Sequence, residues 1–237
     1  MYKINRLWGL YLGVLMWGVS AGTGTGAGTG GQAKLIGVLP KTSGGTDYQA
    51  YYDPVADLTW MADADVNGPM IWSGAKEWAA KLNIHGVTGW RLPEAPQPDP
   101  TCDTQIAGIS RGFRCTGSEM GNLFYNVLGN VGYTDLCRAS DKCPHSDGTL
   151  NNTGPFTNLQ NDYYWAATED PTDSESAMYF DFRFGDQREV NKLFPMYAWA
   201  VHSGNVGHAP VPGAKVPKTD THAARIGSAK HKTGSSQ

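Results

Sequence analysis

The segment DADVNG, Asp63 to Gly68, carries the D-x-D-x-N-G opening of a calcium loop, where hard oxygen ligands recur at every second residue. The twelfth position of such a loop is a bidentate Glu. Here it is Gly74, so the helix–loop–helix form of the site is excluded. The spacing leaves a smaller calcium site on Asp63, Asp65 and Asn67, set against a solvated Asx-rich turn. Calcium is the one cofactor these residues suggest.

Four cysteines, Cys102, Cys115, Cys137 and Cys143, lie in segments rich in Asp, Thr, Ser and Gly. An even count behind an export-type leader reads as disulfides. Three pairings are open. The local ones, Cys102–Cys115 and Cys137–Cys143, each close a short loop and would contribute about 2–3 kcal/mol in the chain-entropy description. Zinc would need a C-x-x-C pair or a nearby His couple, and His145 stands alone beside Cys143. Enzymatic chemistry would need a nucleophile or base oriented by partners. His85, His145 and His202 have no such neighbour in sequence, and Glu169–Asp170 has the form of an ordinary charged strand end. The residues therefore read as non-catalytic.

Aromatic residues are the other chemical resource. Trp60, Trp78, Trp90, Trp165 and Trp199 fall in core-period patterns, whereas Trp72 breaks the stripe of the helix it adjoins. Tyr163 and Tyr164 must face opposite sides of one strand. Trp72, Tyr163 and Tyr164, with Glu169, are the positions expected to meet a sugar ring.

The elements that position these groups show in the periodicity. Ala75, Trp78, Ala79 and Leu82 mark a helix from about Ser73, with Ser73 as its cap. Met120, Leu123, Phe124 and Val127 mark a second, capped by Ser118 and ended at Gly129. Tyr51-Tyr52, the Asp53-Pro54 turn and Leu58/Trp60 read as strand–turn–strand, and residues 94–115 as irregular. The last third is β: DYYWAAT, MYAWAV, and an alternating run in which Met178, Phe180 and Phe182 point inward and Tyr179, Asp181 and Arg183 outward, with a hairpin turn at Gly185–Gln187. In GVTGWRLPE, period 2 places Trp90 and Leu92 on one face and Arg91 on the other. Arg91 is expected to pair with Glu119 at the second helix start, making the motif architectural, as are Trp165 and Trp199. The expected fold class is α+β, two helices with a mainly antiparallel, irregular sheet.

The segments DLTWMADADVNG, EWAAKLN, GVTGWRLPE, CTGSEMGNLFYNVLG, GPFTNLQNDYYWAATE and MYAWAVHSGNV, in this order, resemble the Lcl C-terminal domain family, named for the terminal domain of a bacterial collagen-like adhesin. The resemblance runs from about Tyr51 to Val206. It implies a C-type-lectin-like fold, distantly related to the formylglycine-generating and sulfatase-modifying enzymes. It also implies a role in glycan binding and cell attachment.

The chain ends read differently from the middle. Lys3 and Arg6, the apolar run Leu7 to Val19 and the small residues at Val19–Ala21 have the form of a signal peptide over residues 1–21, shorter than the ~20 apolar residues of a spanning helix. Residues 22–32 are a Gly/Thr linker, residues 33–206 the domain, and residues 207–237 a basic tail of disorder-prone composition. Residues 22–206 hold twelve Lys/Arg against twenty-one Asp/Glu, a balance that opposes nucleic acid and other polyanions. The expectation is a secreted binding module, extracellular or periplasmic, without a stable membrane span after signal cleavage. Its partner would be an extracellular glycan or cell-surface component. The alternatives are a formylglycine-generating type of enzyme using cysteine chemistry and a passive matrix or envelope protein.

Overall fold

Tyr-, Val- and Trp-rich runs broken by Asp-Pro and Gly-containing turns build an antiparallel meander at the start of the domain. In a computed structural model that describes residues 34–139 and 148–207, this meander is β1 (Ile36–Pro40), β2 (Tyr48–Asp53) and β3 (Leu58–Met61). The expected leader, the linker, Cys143, His145 and the tail from residue 208 lie outside the described residues. Asp53 fixes the β2–β3 turn by accepting from the Val55 and Ala56 amides. The last strand, β9 (Val201–Ser203), pairs antiparallel with β3 and completes a four-stranded sheet ordered β1-β2-β3-β9.

A five-stranded sheet holds β4 (Thr104–Ile106), β5 (Ile109–Phe113), β6 (Tyr163–Asp170), β7 (Asp173–Asp181) and β8 (Asp186–Asn191) in the order β4-β5-β8-β7-β6. All its named pairings are antiparallel, so the domain is α+β with two antiparallel sheets. The β4–β5 hairpin corrects the reading of residues 94–115 as irregular. Its turn uses Ala107 and Gly108 at φ of 50° and 90°, the left-handed pair that a two-residue hairpin requires.

Three helices are present among the described residues. The first, α1 (Trp72–Lys81), starts at Trp72 after an extended Ile71 and has no side-chain cap, so Ser73 lies inside the first turn rather than before it. The second, α2 (Glu119–Asn122), is capped by the Ser118 hydroxyl, which accepts from the Gly121 amide, and it runs on into a π-helical turn over Leu123–Val127. The third, α3 (Tyr133–Ala139), carries Cys137. None is long and apolar enough to cross a membrane, among the described residues.

Two apolar clusters sandwich the five-stranded sheet. Trp60, Phe124, Tyr164, Phe180, Phe182 and Trp199 belong to one; Trp72, Ala75, Ala79, Trp90, Trp165 and Ala177 belong to the other. β7 is therefore covered on both faces, which corrects its reading as half-buried. Asp181, on the supposed outward face, is 3% exposed. The turn out of β7 falls at residues 182–185, not at Gly185–Gln187.

Register places four residues in one row across four strands: Phe113, Asp186, Asp181 and Tyr163. Like charges directly opposite on a sheet repel. Arg183 from the turn and Arg188 from β8 bind Asp181 and Asp186 respectively, and Tyr163 and Tyr179 stand beside them. Burial, and then the charge of Asp186, push the Asp181 carboxyl up to about 6. A carboxyl whose folded value exceeds its unfolded one is favoured by folding when protonated. Its contribution is therefore full below about pH 4 and is lost as pH rises to about 6, on the order of 2–3 kcal/mol. In Asp181→Asn, this falling component of stability between pH 4 and 6.5 is expected to vanish, as read by urea unfolding at each pH. An unchanged slope would remove Asp181 as its source.

Candidate functional site

The β1–β2 loop, β2, the end of β3, Ile84 in the loop after α1 and the stretch Pro155–Thr157 enclose a cleft of about 250 Å³. Its aromatic walls are Tyr48 and Tyr51, with Lys41, Asp47, Gln49 and Asp63 among its polar groups. Tyr48 is placed by what β1 lacks. An ideal Cβ on Gly37 would lie 2.2 Å from the Tyr48 ring, so the ring rests on bare backbone. Tyr48 and Tyr51 meet edge to face at 6.0 Å, and Tyr51 meets Phe156 edge to face at 5.7 Å. Burial, and then Asp47, raise the Tyr51 phenol above its usual range.

Backbone bonds hold the opposite wall. Thr157 donates its amide to the Ala62 carbonyl at 2.9 Å and accepts the Ala64 amide on its own carbonyl at 2.9 Å. The Asp63 carboxylate accepts from the Asp65 amide and from Asn158 Nδ2, both at 3.0 Å. Gln49 Nε2 is bonded to the His85 imidazole, which fixes the amide against the loop after α1. At the rim, Lys41 Nζ lies 3.0 Å from Asp47 Oδ2, with both side chains largely in water. The cleft is thus lined by two half-buried tyrosines beside an ammonium, carboxylates and an amide.

No family model, no curated protein and no solved structure matches the chain.

The residues singled out in the sequence are distributed over several separate places. Asp63 and Asp65 use one carboxylate oxygen each on backbone amides, Asp65 on that of Gly68 at 2.8 Å. Among the described residues, the one trio of potential metal-ligating side chains within 4.8 Å of one another is Asp99, Cys102 and Cys115. There the two sulfurs are bonded to each other, closing the Cys102–Cys115 disulfide across a Cα separation of 4.1 Å. Cys137 is also disulfide-bonded.

Trp72 and Glu169 do come together, around Lys192. Its Nζ sits 4.6 Å from the Trp72 ring centroid and 2.9 Å from Glu169 Oε2. Lys76 covers the same ring at 4.1 Å, and the indole N–H donates to the Ala166 carbonyl at 2.8 Å. The expected solvent-facing ring at Trp72 is corrected: starting the helix one residue earlier turns this indole inward, leaving it 7% exposed. The same correction holds for Tyr164, which is fully buried with its hydroxyl accepting the Gln160 amide. Tyr163 is half-buried beneath the Arg183 guanidinium, 4.8 Å from its ring.

Trp90, Trp165 and Trp199 are buried. Arg91 binds Glu119 with two parallel hydrogen bonds of 2.8 and 2.7 Å. Sequence reasoning missed Tyr48 as a site residue. The glycine that admits its ring lies eleven positions away and is recognisable only once β1 pairs with β2.

Proposed function

We propose that this protein is a secreted, non-catalytic recognition module of the Lcl C-terminal domain type, and that it binds carbohydrate in the Tyr48–Tyr51 cleft. The observation that carries this reading is the pair of accessible tyrosine rings set among groups that donate and accept hydrogen bonds. A pyranose needs that combination: an apolar face for its C–H bonds and fixed polar partners for its hydroxyls. Closure of Cys102 and Cys115 into a disulfide supports a scaffold over thiol chemistry at those two residues.

A screen of neutral, amino and sulfated oligosaccharides tests the reading. Binding is expected to a neutral or amino sugar. Tyr48→Ala is expected to weaken it at least tenfold, a change of about 1.4 kcal/mol, in a chain that still unfolds cooperatively at a somewhat lower temperature. Silence across all three sugar classes would defeat the carbohydrate assignment, and undiminished binding by Tyr48→Ala would defeat the cleft.

A further inference from the structure

A second cavity, of about 450 Å³, lies at the other sheet and shares no wall with the tyrosine cleft. It is lined by Phe113, Tyr133, Thr134, Phe184, Asp186 and Arg188. Three of the six are aromatic. Tyr133 and Phe184 stand edge to face at 5.3 Å, held in place by the Tyr133 amide, which donates to the Phe184 carbonyl at 2.9 Å. Phe113 enters from the neighbouring strand as the cross-strand partner of Asp186.

The cavity has an acidic floor with a second carboxylate behind it, since Asp186 is opposite Asp181 across β8 and β7. The two counter-ions differ in kind. Arg183 is lodged: its guanidinium lies 4.8 Å from both the Tyr163 and Phe184 rings, contacts the Tyr163 hydroxyl, and sits 3.2 Å from Asp181, with its side chain 28% exposed. Arg188 is half in water, its side chain 51% exposed, while the Asp186 side chain it covers is 7% exposed. If Arg188 swings outward, two buried carboxylates retain one lodged cation, and an aromatic-walled cavity faces an unbalanced negative charge. A second cation fills that need; an anion would meet two carboxylates.

We propose that this cavity is a binding site for an organic ammonium, which takes the place of Arg188 on Asp186 while the Phe113, Tyr133 and Phe184 rings surround it through cation–π contact. Ligand and Arg188 compete for one carboxylate. This makes the consequence of removing Arg188 opposite in sign to that for a neutral or anionic ligand, which would lose a donor.

The test uses the whole chain with benzylammonium as probe, and benzyl alcohol and benzoate as its uncharged and anionic counterparts, read by calorimetry and by ligand-induced shift in melting temperature. Benzylammonium is expected to bind at least tenfold more tightly than benzyl alcohol, with no competition from benzoate. Arg188→Gln is expected to strengthen it several-fold, and Asp186→Asn to weaken it at least tenfold. Equal affinity for the amine and the alcohol, competition by benzoate, or weaker amine binding in Arg188→Gln would each overturn the proposal. The probe comparison and Arg188→Gln decide the matter even where Asp186→Asn fails to fold.

Discussion

Trp199→Ala is expected to lower the unfolding free energy by about 4–5 kcal/mol, the upper end for a buried aromatic truncation. Trp199 is fully buried between the two sheets. Its ring centroid lies 4.8 Å from those of Trp60 on β3 and Phe156, and 6.0 Å from that of Phe182 beyond β7. Removal leaves a cavity that three rigid rings cannot collapse to fill. It also strands the Met61 carbonyl, which now accepts the indole N–H at 2.7 Å. The flanking backbone gives the position further leverage. Tyr197 bridges to Tyr164 on β6, and Val201 pairs with Trp60 on β3, so residues 197–201 stitch one sheet to the other. Urea unfolding is the measurement, and a loss below about 1 kcal/mol would show that the core tolerates the gap.

Glu119→Ala is the second large effect, at about 3 kcal/mol. Glu119 accepts both Arg91 bonds and the Glu94 amide at 2.8 Å, so one carboxylate ties the GWRLPE segment to the start of α2. The side chains are 31% and 17% exposed, which places the pair below the full value of a deeply buried one. Alanine leaves a half-buried guanidinium and an amide without their acceptor. The double change Arg91→Met with Glu119→Ala leaves no lone charge and is expected to cost less than the sum of Arg91→Met and Glu119→Ala, the non-additivity that a coupled pair gives. Thermal melts of the two singles and the double settle it. Additive losses would reduce the contact to two independent surface groups.

These two predictions rest on features that differ in how far they could be read from sequence. The alternation that buries Trp90 and Leu92, the Ser118 cap and the Cys102–Cys115 bridge follow from patterns local to each site. The Gly89–Glu94 segment, however, forms only an isolated bridge, Arg91 to Val201, and not the expected strand. The Tyr48–Tyr51 cleft does not. It forms where residue 48 comes to face residue 157, and nothing local to either position records that meeting. The acid pair was hidden for another reason. Alternation correctly separates Asp181 from Phe180, but period 2 says only that they lie on different faces. The aromatic layer of Trp90, Trp165 and α1 buries the second face as well, a tertiary fact. The β4–β5 hairpin escaped because its strands are only three and five residues long, in a stretch dense with Pro and Gly.

The ordering of the four-stranded sheet carries a consequence for how the protein is made. Three of its strands are synthesised early, and the fourth, β9, comes from residues 201–203. A nascent chain therefore cannot zip this sheet shut until nearly the whole domain has emerged, and contacts of such long sequence span form slowly. Until then the edge of β3 that β9 covers has no partner strand.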